Sequence, residues 1–264
     1  MSPTLVHADL RAWLKKHRGE SRAGVLAQVL TDIRCVSDQD LWMPTFNYEF
    51  CRGTAFDVRE TPSQVGVLSE YFRTTVGRWR TAVPVFSVSG VGPKPLSSSS
   101  SHSDSSVVEP FGSVGVFAKL VHLRGSVLMA GCDLRFLTLT HYAEVHGGVA
   151  PPYRYDKDFP GQMGLEDGKW RDVIVRYHVT PLRERVTYNW EVVRDHMMAQ
   201  GVLRNIPRWN QGWLLDAAGF VDAWQQQSVH DPLWALSAQS RSWVDPMLDR
   251  LGRRVRQTDF ESRS

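Results

Sequence analysis

Five uncharged residues, Ser126-Val-Leu-Met-Ala130, lie between Gly125 and Gly131, and this short run constrains the fold more than any other part of the chain. It is too short for a buried helix and is closed by glycine at both ends, so it reads as an apolar, buried strand. The segment Thr138-Leu-Thr-His141-Tyr-Ala-Glu144 follows it and reads as a helix start. A strand-to-helix junction is where α/β proteins usually keep their sites. On a helix, residues three apart share a face, so Glu144 can orient or polarise His141 as a general base. A packed, hydrogen-bonded structural histidine is an equally good reading of this segment taken alone.

The same alternation runs through the first half of the chain. Leu5-Val-His7-Ala8-Asp9-Leu10 reads as a first strand entering a polar turn, and Ser21 to Ile33 carries apolar residues at helical spacing. Asp40 to Met43 reads as a second strand that stops at Pro44, and Thr45 to Phe50 as an extended or looping segment. Pro62 suits the first turn of a helix over Ser63 to Phe72, with Val65, Leu68 and Phe72 on its apolar side. Val83 to Gly90 reads as extended and ends in the turn Gly90-Val-Gly-Pro93, and residues 114–123 read as a helix. Beyond Gly148, Ala150-Pro-Pro152 breaks the pattern, and Trp170 to Val179 alternates as a half-buried strand with Val173, Val175, Tyr177 and Val179 on one side. Helices are expected over Trp190 to Gln200, Phe220 to Gln227 and Pro232 to Leu251, the last interrupted at Pro246, and the tail from Arg253 to Ser264 reads as frayed. Residues 97–106 are almost all serine, which cannot bury apolar area and so suits a surface loop or a lid. The expectation is a single α/β domain over 1–264, with a core of about 1–148 and an α+β C-terminal extension of about 149–255 that completes the cleft.

Composition excludes several classes. No stretch approaches the length of a membrane span, and Met1-Ser-Pro-Thr-Leu-Val-His7 lacks the basic and apolar regions of a signal peptide, so a cytoplasmic location is expected. Cys35, Cys51 and Cys132 are too scattered for a disulfide framework or a structural zinc site, and no metal is expected. With 31 Lys and Arg against 28 Asp and Glu, the bases are interspersed with acids, and no nucleic-acid partner is expected. GxGxxG, P-loop and GxSxG signatures are all missing. Six of the ten tryptophans fall between Trp190 and Trp243 and suit core or interface anchors, which leaves room for a homodimer.

Several ordered motifs resemble the aminoglycoside 3-N-acetyltransferase family. They are Leu5 to Leu10, Leu41-Trp-Met-Pro-Thr-Phe-Asn47, Phe56-Asp-Val-Arg-Glu-Thr-Pro-Ser63 leading to Gly66-Val-Leu68, Pro84-Val-Phe-Ser87, Pro110-Phe-Gly112 and Thr138 to Glu144, and the likeness continues into Pro152-Tyr-Arg-Tyr-Asp-Lys157. The resemblance implies that family's fold, distinct from the GNAT acetyltransferases, and direct transfer of an acetyl group from acetyl-CoA, or another acyl-CoA, to an amine of a small sugar-like acceptor. It makes His141 the base and Glu144 its supporting acid. It points CoA to His7, Ala8 and Asp9 and to Phe86 and Ser87, and Tyr48, Asp57 and Glu60 lie in matched segments that can face the acceptor. Arg11 or Lys15 suits a phosphate contact or a solvated basic face, and Asp57 and Glu60 suit a cationic amine or a surface acid beside a turn.

The chain departs from the family pattern at Ala8 and Asp9, where relatives carry a hydroxyl pair, at Ser113-Val-Gly115 and at Leu137. The serine-rich run also replaces an acceptor-side stretch. These departures favour a biosynthetic amino-sugar or other small amine over an antibiotic as acceptor. Three other readings stay open at this point: a resistance enzyme acting on aminoglycosides, an acyl-enzyme route through Cys132, and a scaffold that has lost catalysis.

Overall fold

The computed structural model describes residues 2–37, 40–95, 106–146, 150–181 and 185–261. The serine-rich run expected to be a loop or lid lies, apart from Ser106, outside them.

The chain opens with β1 (Thr4–Ala8), α1 (Arg11–Lys16), α2 (Arg22–Arg34) and β2 (Leu41–Pro44). Short pieces follow: β3 (Phe56–Asp57), α3 (Val67–Thr75), β4 (Trp79–Arg80), β5 (Val88–Gly90) and β6 (Val107–Val108). Then come α4 (Val116–His122), β7 (Ser126–Ala130) and α5 (Leu139–Val145). The remainder is β8 (Tyr155–Gly164), β9 (Trp170–Val179), α6 (Trp190–Ala199), β10 (Leu203–Asn205), β11 (Trp213–Asp216), α7 (Ala217–His230) and α8 (Ala238–Leu251). A seven-stranded sheet runs β10-β11-β7-β1-β2-β5-β4, and a four-stranded sheet runs β3-β8-β9-β6.

The glycine-bracketed strand is central to the larger sheet, parallel to β1 from Thr4↔Ser126 to Ala8↔Ala130 and antiparallel to β11. Its residues alternate between two cores. Val127 and Met129 join Leu5, Trp42 and the residues of α4 and α7, whereas Leu128 and Ala130 join Val6, Leu41, Met43 and the apolar face of α2. Burial on both faces is why the strand reads as a continuous apolar run. The glycines have separate tasks. A Cβ on Gly125 would lie 2.6 Å from the Pro3 carbonyl oxygen, and Gly131 turns the chain at φ +65°.

Five expectations change. The helix after Pro62 begins at Val67 rather than Ser63, because Asn47 Nδ2 holds the Pro62 carbonyl at 2.9 Å and Glu70 Oε2 accepts from the Ser63 amide at 2.7 Å. These long-range bonds keep 62–65 out of the helix, and Gly66 at φ +118° then admits it. Tyr48–Arg52 closes a 3-10 turn at the end of the segment expected to be extended. The whole of β8 is new, paired with β9 from Tyr155↔Val179 to Gly164↔Trp170. The tail does not fray before Glu261, whose carboxylate accepts from Lys157 Nζ at 2.7 Å and from the Tyr155 hydroxyl at 2.7 Å. In addition, α8 starts at Ala238 and continues through Pro246. No helix among the described residues is long and apolar enough to cross a membrane.

Candidate active site

His141 and Glu144 stand one turn apart on α5, as their spacing predicts. Glu144 is fully buried at its side chain and is a hub rather than a lone partner. Its Oε1 accepts from Arg154 Nε at 3.1 Å, from the Tyr153 hydroxyl at 3.3 Å and from the Tyr188 hydroxyl. Its Oε2 lies 3.2 Å from His178 Nε2 and 3.5 Å from His141 Nδ1. Burial alone would keep this carboxyl protonated. The Arg154 guanidinium and the two imidazoles reverse that and hold it well below the usual carboxylate range. The carboxylate in turn more than offsets the burial of Arg154 and raises its guanidinium above the ordinary value.

The two imidazoles meet at 3.3 Å, Nδ1 of His141 to Nε2 of His178. A lone pair on His178 Nε2 would face the carboxylate, so the favoured tautomers have both N–H groups donating to Oε2. That leaves Nε2 of His141 as the unprotonated nitrogen. Burial pushes His178 down to about 4, against the pull of Glu144, and also lowers His141. His178 is buried, whereas the His141 side chain keeps 33% exposure, so only the latter can reach a substrate.

Aromatic rings fix the remaining faces of His141. Phe111 lies 5.2 Å away between ring centroids and Phe86 lies 6.2 Å away. Phe86 is aimed there by a tight turn in which its amide bonds the Pro84 carbonyl across Val85, a buried, β-branched residue at φ +74°. A turn of that hand is strained by about 1–3 kcal/mol, and such strain concentrates where a side chain must be held in place.

A cleft of about 510 Å³ lies at the start of α5, where Thr138 lines it and His141 does not. His7, Ala8, Asp9 and Tyr48 line it, together with Cys132 and Thr138. Phe86 sits edge-on to Tyr48 at 6.3 Å and so joins the cleft to His141. Ser87 is elsewhere. Its hydroxyl, with no exposure, donates to the Thr45 carbonyl and accepts from Arg80 Nε, so it is a structural partner of a buried arginine rather than a CoA contact. Asp57 is also turned away from an acceptor role, because its carboxylate binds Arg59 at 3.2 Å and accepts the Arg59 amide at 2.7 Å. Glu60 is exposed, and Lys15 is exposed on α1; neither lines the cleft. Arg11 lines it, paired with Asp9.

His178, Tyr188 and the role of Arg154 join the site only in the folded chain. His178 follows Tyr177 on β9 and faces the opposite side from the apolar stripe, a signal that alternation carries but that names no partner. His141, Glu144 and His178 also form a donor set whose atoms lie within 4.8 Å of one another. The adjacent guanidinium and the two hydroxyls already occupying Glu144 suit proton holding better than a cation.

His7 gives the cleft a testable property. Its Nε2 is buried without a partner, and burial pushes the ring from 6.5 down to about 4. The folded chain therefore keeps His7 neutral where the unfolded chain binds a proton. Stability is complete above pH 6.5 and falls by about 3 kcal/mol from this group as the pH drops to about 4, where the loss levels off. Urea melts at pH 7 and pH 4.5 should show this, and His7→Asn should reduce the difference by the His7 share while leaving the part that His178 and His141 contribute.

The family model described as aminoglycoside 3-N-acetyltransferase matches residues 5–226. Among solved structures, the chain is similar to aminoglycoside acetyltransferase AAC(3)-Xa, with 20% identity, a TM-score of 0.63 and 86% of each chain covered. It is similar to AAC-IIIb, solved as a binary complex with CoASH, with 20% identity, a TM-score of 0.64, and 87% of this chain and 90% of that one covered. YokD from Bacillus subtilis shares 17% identity at a TM-score of 0.59, with 87% of this chain and 92% of that one covered. No curated protein sequence matches.

Proposed function

Because the chain belongs to the aminoglycoside 3-N-acetyltransferase family, we propose that His141 is the general base of a direct acetyl transfer from acetyl-CoA to an amine of an amino-sugar or similar small acceptor. Family membership carries the reaction class, acetyl-CoA-dependent N-acetylation. The observation that supports this role for His141 is its pairing at Nδ1 with a fully buried, ionised carboxylate while its ring stays partly open to solvent.

An ammonium group has no lone pair, so the acceptor must lose a proton before or during attack. A neutral His141, its pKa lowered by burial, offers Nε2 for that proton at neutral pH. The imidazolium that forms is then stabilised by Glu144, whose own charge is balanced by Arg154. Phe86 and Phe111 exclude water from two sides of the ring.

The cleft fits the pantetheine arm of acetyl-CoA because its lining includes the apolar side chains Val6, Leu10, Met43 and Phe46. Bound there, acetyl-CoA supplies the thioester. Cys132 lines the same cleft, but burial, with Asp9 and Asp133 nearby, pushes its thiol up to about 12, so it is a poor nucleophile. Cys132→Ala should keep turnover within about twofold, by steady-state kinetics and by the lack of an acylated protein in mass spectrometry.

A small acceptor is favoured over a polycationic antibiotic by the departures from the family pattern at Ala8 and Asp9, at Ser113 to Gly115 and at Leu137. Release of free CoA thiol, measured across amino-sugars, sugar nucleotides and aminoglycosides, tests the proposal. The expected result is turnover with acceptors bearing one amine. Aminoglycosides as the best acceptors would overturn the small-amine assignment, and no release with any amine would overturn the transferase reading.

A further inference from the structure

We propose that the C-terminal tail forms a separate ligand site, an arginine-lined cavity at the start of β8 that binds a compact, multiply charged phosphate. Its occupant braces the turn from which Tyr153 and Arg154 reach Glu144. The assignment does not depend on the transferase reading.

The cavity has a volume of about 420 Å³ and is lined by Tyr155, Asp156 and the tail from Arg253 to Gln257. Its lining carries the guanidinium groups of Arg253, Arg254 and Arg256 against one carboxylate, that of Asp156. A guanidinium presents planar pairs of N–H donors that match phosphate oxygens, so three of them around one hollow point to an anion with several charged oxygens. The one aromatic ring in the lining belongs to Tyr155, which is 2% exposed, so a nucleobase has nothing to stack on. The fitting ligand is therefore a diphosphate or triphosphate group on a small molecule, without a base.

The wall is held by bonds within the protein, which gathers the arginines before any ligand arrives. Gly252 turns the chain out of α8 at φ +62°. The Val255 amide then donates to the Pro152 carbonyl at 2.9 Å, and Arg254 Nε donates to the Arg154 carbonyl at 2.8 Å. Phe260 stacks on Tyr155 at 5.9 Å between centroids, and Arg253 forks onto Asp259 at 2.9 and 2.8 Å. Two of the guanidinium groups keep donors to spare. Arg254 Nη2 is buried without a partner, and its Nη1 lies a long 3.5 Å from Asp156. The Arg256 side chain makes no ion pair among the described residues. A guanidinium nitrogen shut off from water in a cavity wall is what a phosphate oxygen would complete.

Arg254 also links the cavity to the catalytic centre. The carbonyl it holds is that of Arg154, whose side chain balances Glu144, and the adjacent Tyr153 hydroxyl bonds the same carboxylate at 3.3 Å. An anion that fixes Arg254 therefore fixes this turn as well.

Binding of inorganic pyrophosphate to the whole protein, followed by calorimetry with CoA present at saturation, tests the site. Pyrophosphate should still bind, and Arg256→Ser and Arg254→Gln should each weaken it at least tenfold. Arg22→Ser, which removes the same charge from an exposed position on α2, should leave the affinity within about twofold. In hydrogen exchange, the backbone amides of Tyr153, Arg154 and Tyr155 should slow when pyrophosphate is added to the unaltered protein and not when it is added to Arg256→Ser. No binding in the presence of CoA, or equal weakening by Arg22→Ser, would overturn the site. Binding without slower exchange would overturn the bracing of the turn. Capture by phosphatidic acid vesicles in preference to pyrophosphate would give the arginines to a membrane surface and overturn the small-molecule assignment.

Discussion

His141→Ala should lower kcat by roughly 10²–10⁴-fold, the usual contribution of a positioned base, while acetyl-CoA still binds. The loss falls on kcat and kcat/KM together, because the imidazole acts on a proton that moves only in the transition state. The ring is partly exposed and meets the buried network through Nδ1 alone, so its removal leaves Glu144 held by Arg154, His178 and the tyrosines, and the melting temperature should change little. The pH dependence supplies an independent check. With an acceptor whose amine is already neutral, kcat should hold through neutrality and decline only below the ordinary imidazole value of 6.5, because burial, opposed in part by Glu144, lowers His141. A variant that keeps more than a tenth of the activity, or an acid limb centred above 6.5, would assign the base elsewhere.

Glu144→Ala should cost both activity and about 3–5 kcal/mol of stability, since it leaves the Arg154 guanidinium buried without its counter-ion. Arg154 is only 7% exposed at its side chain, and the hydrogen bond it gives the Tyr188 hydroxyl at 2.7 Å does not replace a charge. The double variant Glu144→Leu with Arg154→Met removes both charges, and its loss should be clearly smaller than the sum of the single losses. Urea unfolding of the unaltered protein, Glu144→Leu, Arg154→Met and the double variant gives the coupling. Additive losses, or a Glu144→Ala loss below about 1 kcal/mol, would mean that the pair is relaxed by water and that Glu144 is not the fixed charge behind His141.

The parts of this centre that the sequence makes legible are the local ones. His141 and Glu144 are neighbours on one helical turn, and periodicity alone brings them together. The strand ahead of them is legible because both its faces are buried, which turns alternation into a continuous apolar run. Partners contributed by distant segments are not legible in that way. His178 reaches Glu144 from a strand 34 positions later, and nothing local distinguishes it from a histidine that merely completes a sheet. Its companion strand β8 carries Pro160, Gly161 and Gly164, poor strand formers that are held in place by continuous pairing with β9. The start of α3 shows the opposite failure. Pro62 is a valid helix opener, but hydrogen bonds from Asn47 and Glu70, remote in sequence, overrule it. Resemblance points Ser87 and Asp57 to ligands, whereas in the fold they hold the buried Arg80 and the neighbouring Arg59.

The hub at Glu144 also bears on how the chain becomes competent. Its partners come from α5, from the turn before β8, from β9 and from Tyr188 ahead of α6, so the charge that orients His141 is balanced only after all of these have come together. A chain halted just past α5 would carry the base and its carboxylate, yet that carboxylate would lack the cation that keeps it ionised. Partly synthesised or clipped forms are therefore expected to be silent rather than weakly active, and complementation from two separately expressed halves should restore turnover only where the pieces re-form the Glu144–Arg154 pair.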